Sequence, residues 1–321
     1  MHYRTFGRTG WSVSEIGYGM WGMAGWTGSD DAESLDSLHR AVDLGCNFFD
    51  TALAYGEGHS EELLGRLLRA HRDKTLYTAS KIPPKNRKWP ATADYALEDV
   101  FPYDYLIEST ETSLRNMGVD HLDLMQLHVW DDHWADDDRW QRAVSDLKSS
   151  GKIGAFGISI NRWEPDNVLK ALRTGLIDAV QVVYNIFDQN PEDHLFPLCE
   201  ALNIGVIARV PFDEGSLTGT FTPDTRFPDD DWRSKYFTPE TLAETLTRID
   251  LLRPLIPAGM SMAEFALRFI LADSRVGTVI PGMRRTRHVE ANIAASDGKT
   301  LPAELVAALR PHRWVRQPIP I

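Results

Sequence analysis

The chain has 321 residues, of which 43% are hydrophobic, 10% aromatic and 25% charged, the balance of a globular protein with a large core. A formal net charge of −12 excludes a general binder of nucleic acid or of an anionic membrane, since both need a broad basic face. Only Cys46 and Cys199 are present, without a CxxC pair or Cys/His ligand spacing, so no disulfide framework is expected. No apolar run approaches the ~20 residues of a membrane span. The opening "MHYRTFGRTGWSVSE" lacks the apolar core of a signal peptide, and the expected location is cytoplasmic.

In chain order, strands are predicted over 14–21, 46–52, 75–82, 122–128, 153–160, 179–185, 205–211 and 276–282. Several are apolar almost throughout rather than alternating, as parallel strands covered on both faces should be. Helices of 3.6-residue spacing are predicted over 31–45, 60–71, 104–118, 138–151, 165–175, 194–203, 261–273 and 288–298. Many open on Asp or Ser and several close on Gly, the cap chemistry that punctuates βα units. Eight such alternations fit an α/β fold of the (β/α)8 TIM-barrel type better than an open doubly wound sheet, and no GxGxxG follows the first strand. No linker or composition shift divides the chain, so one domain spanning 1–321 is expected. Loops 83–103, 129–138 and 212–237 are too long for connectors, and all follow C-terminal strand ends, where a barrel carries its ligands.

Within "FFDTALAYG" (48–56), Asp50 closes an apolar strand and Tyr55 follows on the loop. "TASK" puts Lys81 at the end of the next strand, and "QLH" puts His128 at the end of the one after. Acid, lysine and histidine therefore terminate successive strands, and their side chains can meet with Tyr55 over the barrel mouth. A phenol with an ordinary pKa of about 10 gives up its proton more readily beside a positive charge. Lys81 can supply that charge, Asp50 can keep the lysine protonated, and His128 can orient a carbonyl or share the proton.

These motifs resemble the aldo-keto reductase family over nearly the whole length. "MHYRTFGRTGWSVSEIGYGMWG" is similar to its N-terminal hairpin and first strand, "FFDTALAYGEGHSEELLG" to its acid and tyrosine motif, "TASK" to its lysine motif, and "SLRNMGVDHLDLMQLH" to the segment with its histidine. The resemblance implies that Tyr55 is the general acid, that Lys81 and Asp50 lower its pKa, and that His128 orients substrate. It further implies an extended nicotinamide dinucleotide on the barrel top, with NADP(H) preferred and NAD(H) possible. Gly19, Met20, Trp21 and Asp50 would flank that cofactor. Ser159 and Gln181 would hold its carboxamide, with Asn161 shifted one place from the family's usual Asn by Ile160.

"VIARVPFDEGSLTGTF" resembles the seventh strand and pyrophosphate loop, where backbone at Pro211, Gly215, Leu217 and Gly219 would approach phosphates. Arg209 stands where the family commonly has an aromatic ring. A guanidinium can stack on a flat ring, and its charge would disfavour the oxidised, cationic nicotinamide; pairing with Asp213 or Glu214 is the alternative. "VIPGMRRTRHVEANIAA" resembles the adenosine-phosphate segment, with Gly282, Arg284, Arg285, Arg287 and His288 before or within the opening turn of a helix, and Asn292 facing adenine.

The substrate side rests on Trp21, Trp26, Trp89 and Trp130, near Tyr55 and His128, which suit aromatic carbonyls or sugars. The partner expected is a small carbonyl compound, with no nucleic acid or membrane. Two other functions compete. The segment "HVWDDHWADDD" (128–138) could ligate a divalent metal for hydrolysis through His128, His133 and the acids of 131–138, although Asp136 to Asp138 also suit a helix cap. A slow or non-catalytic cofactor-binding redox sensor of the same fold is the other; the intact Asp50, Tyr55, Lys81 and His128 weigh against it.

Overall fold

A computed structural model describes residues 1–23, 25 and 29–316. The chain opens with an antiparallel hairpin of β1 (Tyr3–Phe6) and β2 (Trp11–Ser14), in which Phe6 pairs with Trp11. Eight parallel strands follow: β3 (Tyr18–Gly19), β4 (Phe48–Asp50), β5 (Tyr77–Ile82), β6 (Leu122–Leu127), β7 (Ile153–Ser159), β8 (Ala179–Val183), β9 (Gly205–Arg209) and β10 (Thr278–Val279). They are hydrogen-bonded in chain order. Parallel bridges from Ile16 to Val279 and from Gly19 to Gly282 close the sheet into a barrel.

The (β/α)8 barrel thus has the predicted strands, with the first and last much shorter than their apolar runs. Closure explains part of this. A Cβ on Gly19 would lie 2.6 Å from the Ile280 carbonyl oxygen, so the seam needs a residue without one. Phe48 and Phe49 divide as successive strand residues must: Phe48 joins the cluster inside the barrel, Phe49 the larger one between sheet and helices.

The barrel's lower end is filled by the hairpin. Phe6 and Val13 are fully buried in the inner cluster with Phe48, Leu124 and Ile207. Phe6 is seated so tightly that a Cβ added at Gly205 or Gly277 would come within 2.6 or 2.7 Å of its ring.

Helices differ from expectation where side chains intervene. The helix expected over 165–175 is reduced to Leu169–Leu172, because the Lys170 and Ala171 amides are taken by the Asp132 carboxylate from the preceding top loop. The loop 212–237 contains a 3-10 segment, Asp213–Thr218, and a short helix, Arg233–Tyr236. Directly after it comes an unforeseen helix, Pro239–Leu252, capped by Thr238 and burying Leu242, Thr245, Ile249 and Leu252. No helix among the described residues is long and apolar enough to cross a membrane. Cys46 and Cys199 are buried and free.

Candidate active site

The site begins as an alternation. Ala79, Leu124, Ala179, Ile207 and Phe48 belong to the apolar cluster inside the barrel. Two residues on, the same inward faces carry Lys81, Gln126, Gln181, Arg209 and Asp50. A polar layer therefore caps the apolar one. Gly157 makes room in it, since a Cβ there would lie 3.1 Å from Gln126 Cγ and 2.8 Å from the Ala179 carbonyl oxygen.

Within this layer Lys81 is fully buried and its Nζ donates to Asp50 Oδ2 at 2.6 Å and to the Thr51 carbonyl at 2.7 Å. Asp50 Oδ1 accepts from the amide of Gln181 at 2.8 Å and, more weakly, from that of Gln126 at 3.3 Å. Burying one charge alone would be prohibitive, so pair and amides stand or fall together. Gln126 was missing from the expected residues, although it lies two positions before His128.

Tyr55 sits above this layer on the loop after β4, which is turned by left-handed residues at Gly56, Glu57 and Gly58. Its ring centroid is 5.1 Å from Lys81 Nζ, and His128 meets it edge-on at 5.7 Å. Burial pushes the phenol above its ordinary value. Lys81 opposes that rise, Asp50 adds to it, and Arg209 opposes it. The expectation that Asp50 and Lys81 both lower the phenol's pKa is therefore corrected. Asp50 acts directly in the opposite sense and opposes the rise only by holding Lys81, and the balance leaves the Tyr55 phenol protonated at neutral pH. His128 is driven well below its ordinary value by burial, then by Lys81 and Arg209, and is neutral there.

Over these groups opens a cleft of about 1460 Å³. Of the expected cofactor residues, Gly19, Met20, Trp21, Asp50, Ser159, Asn161, Gln181, Arg209, Pro211, Gly215, Gly282, Arg284 and His288 border it. Leu217, Gly219, Arg285, Arg287 and Asn292 do not. Leu217 is buried in the core, and the amides of Gly215 and Leu217 donate to the Phe212 carbonyl at 2.9 and 3.0 Å, turned into their own loop. Arg285 faces Glu33 at 3.6 Å, and Asn292 is buried on its helix. Arg284, His288 and their neighbours still gather at the start of the helix Thr286–Ala294. Burial first, then the charges of Arg287, Arg285 and Arg284, lowers the pKa of His288.

Trp21 and Trp89 border the cleft, and Trp89 meets His128 edge-on at 4.6 Å. Trp130 does not: it is fully buried against Trp134 and Trp140, because the chain after His128 turns its ring into the helix layer. Trp26 lies outside the described residues. Trp163, Phe227 and Trp232, which were not foreseen, supply the aromatic wall instead.

Arg209 pairs with neither Asp213 nor Glu214. Its Nη2 donates to the Ile160 carbonyl at 3.0 Å, and burial, reinforced by Arg162, pushes its pKa down to about 10, so it stays charged. The acids of 131–138 are absorbed locally: Asp131 binds His133, Asp132 caps the chain at 170–171, and Asp137 caps the helix Asp138–Ser149. Among the described residues no three His, Cys, Asp or Glu gather as a metal site.

Bordering the cleft are buried polar atoms with no hydrogen-bond partner: His128 Nδ1, Asn161 Oδ1, Arg209 Nε and Arg162 Nη1. A cleft that leaves donors and an acceptor unmatched is shaped for a polar guest. The family model described as Aldo/keto reductase family matches residues 15–313. The chain belongs to the aldo/keto reductase family. Aldo-keto reductase YhdN from Bacillus subtilis is 29% identical over 95% of this chain and 91% of its own. The solved glycerol dehydrogenase of Gluconobacter oxydans superposes with a TM-score of 0.78 at 30% identity, covering 97% of this chain and 95% of that one. Two further relatives, both 27% identical, differ in the cofactor of their names. The aldo-keto reductase yakc [NADP(+)] of Schizosaccharomyces pombe matches 88% of this chain and 84% of its own. The NADH-specific methylglyoxal reductase of Escherichia coli matches 94% of this chain and 98% of its own. Aldo-keto reductases are oxidoreductases that use nicotinamide cofactors, and this chain is one of them.

Proposed function

We propose that the chain reduces the carbonyl of an aldehyde, ketone or sugar with NADPH, and that Tyr55 is its proton donor. One observation carries this reading: a protonated, half-buried phenol lies beside a lysine held by a 2.6 Å ion pair and against a neutral histidine, bordering a cleft with unmatched polar atoms. The reduced nicotinamide, when bound, supplies the hydride. Everything else falls to the chain.

The carbonyl oxygen sits between Tyr55 and His128. His128, being neutral, donates one hydrogen bond without competing for the proton. As negative charge grows on the oxygen, Tyr55 transfers its proton, and Lys81 stabilises the phenolate left behind. Asp50 holds the lysine in place by their ion pair, and Gln126 and Gln181 hold Asp50. Ser159 and Gln181 would hold the carboxamide of the nicotinamide, and the unpartnered Asn161 Oδ1 is free to join them.

The preference for NADP over NAD rests on the basic cluster Arg284, Arg285, Arg287 and His288 at a helix start, where a 2′-phosphate gains from guanidinium and helix dipole alike. The aromatic wall of Trp21, Trp89, Trp163 and Trp232 suits a substrate with a flat or ring-shaped face. The test is NADPH oxidation over short aldehydes, aromatic aldehydes, ketones and sugars, with Tyr55→Phe alongside. Turnover on one class, lost in the mutant, is expected; no turnover on any, or full activity in the mutant, overturns the assignment.

A further inference from the structure

The wall of the cleft between Val210 and Gly215 is bent in a way most residues resist. Val210, Asp213 and Glu214 have φ of 56°, 45° and 56°, and Gly215 has φ of 107°. Three non-glycine residues in the left-handed region within five positions are a strained backbone, which persists only where its surroundings hold it. Two neighbouring side chains of this stretch are each held by an arginine from another part of the chain. Glu214 is ion-paired with Arg162, from the loop after β7. Asp213 is fully buried, and its carboxylate is paired at 2.6 Å with Arg316, from the far end of the described chain.

The second pair is the unusual one. Arg316 and Asp213 are distant in sequence, and the guanidinium is almost wholly buried, packed 4.1 Å from the Trp314 ring and 5.2 Å from that of Tyr236. The Tyr236 ring also has the Arg162 guanidinium at 5.0 Å, and its hydroxyl donates to Asp213 at 2.8 Å. The arm that carries Arg316 is itself anchored: the Trp314 amide donates to the Phe187 carbonyl at 2.8 Å. Arg316 does not border the cleft, and its ion pair with Asp213 is its link to the loop that does.

We infer that Arg316 is a positioning residue for the cofactor: the C-terminal arm fastens the strained loop at Asp213 and so keeps the cleft wall in its binding shape. The inference rests on the reading above that this wall faces the nicotinamide cofactor. It makes the arm, which has no part in the chemistry, a determinant of how tightly that cofactor is held.

The test is NADPH titration by fluorescence, steady-state kinetics and thermal unfolding on the full chain, for wild type, Arg316→Met, Arg316→Lys and Asp213→Asn. Arg316→Met is expected to raise the dissociation constant and KM for NADPH about tenfold, in the range typical of coupled sites, while kcat at saturating NADPH stays near wild type. The lysine variant should recover part of the affinity. A lowered Tm with an unchanged dissociation constant would overturn the inference, because a merely structural residue behaves that way. Should the variants not fold, hydrogen exchange on wild type decides. NADPH should slow exchange in 312–316 together with 210–218, and protection of the loop without the arm sinks the idea. Failure of wild type to bind NADPH would instead remove the functional reading, a separate outcome.

Discussion

The floor of the cleft and its wall are held by different means. Asp50, Lys81 and Gln126 are fixed by a ladder of parallel strands, whose pairing of Asp50 with Ala79 and Lys81 with Gln126 sets each side chain's height and direction. The loop 210–218 has no ladder, and its shape depends on ion pairs from Arg162 and Arg316. Backbone register places the groups proposed to do the chemistry, where small displacements are costly, while side-chain contacts hold the part proposed to receive the cofactor. Floor variants should therefore change kcat and leave cofactor affinity alone; wall variants should do the reverse.

The largest effect is expected from Tyr55→Phe, which removes the proposed proton donor. Carbonyl reduction should fall by roughly 10²–10⁴-fold, the usual worth of a general acid, with the NADPH dissociation constant unchanged. A comparable loss of affinity in a fluorescence titration would break the separation of floor from wall. Lys81→Met comes next. It leaves Asp50 buried without its partner and should cost about 3–5 kcal/mol of stability, read by denaturant unfolding.

The same lysine variant has a pH signature. Lys81 lowers the Tyr55 pKa, so its removal raises a value that burial already holds high. Alcohol oxidation needs the phenolate, so its rising limb should move to higher pH in Lys81→Met, measured by kcat/KM against pH. A limb that does not move would show that another group titrates.

Smaller effects belong to the wall and rim. Arg284→Ala should weaken NADPH by about tenfold to a hundredfold, as charge-assisted hydrogen bonds of 1.5–3 kcal/mol allow, and leave NADH affinity nearly unchanged. Equal losses for both cofactors would remove the 2′-phosphate argument. The smallest expected change is in Arg209→Tyr: replacing the charge should favour the oxidised cofactor a few-fold relative to the reduced one. An unchanged ratio of the two dissociation constants would show that the guanidinium does not face the nicotinamide.

The difference between floor and wall also explains what was legible in the sequence. Asp50, Lys81 and His128 could be placed because parallel strands alternate inward and outward, and an apolar run that ends on a charge marks the barrel mouth. Gln126 obeys the same alternation and was readable in principle. Trp130 was misplaced because adjacency to His128 in sequence says nothing of which way a loop turns its rings, and Trp163 and Trp232 reach the cleft by folds of distant loops. The pairing of Asp213 with Arg316 carries no local signal at all. The helix Pro239–Leu252 did have one, a Thr-Pro start with buried positions at helical spacing, hidden beside a segment that read only as a long loop.

The hairpin at the bottom of the barrel has a hydraulic consequence. With Phe6 and Val13 stoppering the lower end, water can drain from the polar layer in one direction only, upward past Tyr55 and His128. The Lys81 and Asp50 pair is already buried, so a molecule lying across the mouth has only Tyr55 and His128 left to cover. Lys81 and Asp50 then act on Tyr55 with less screening than in the open protein.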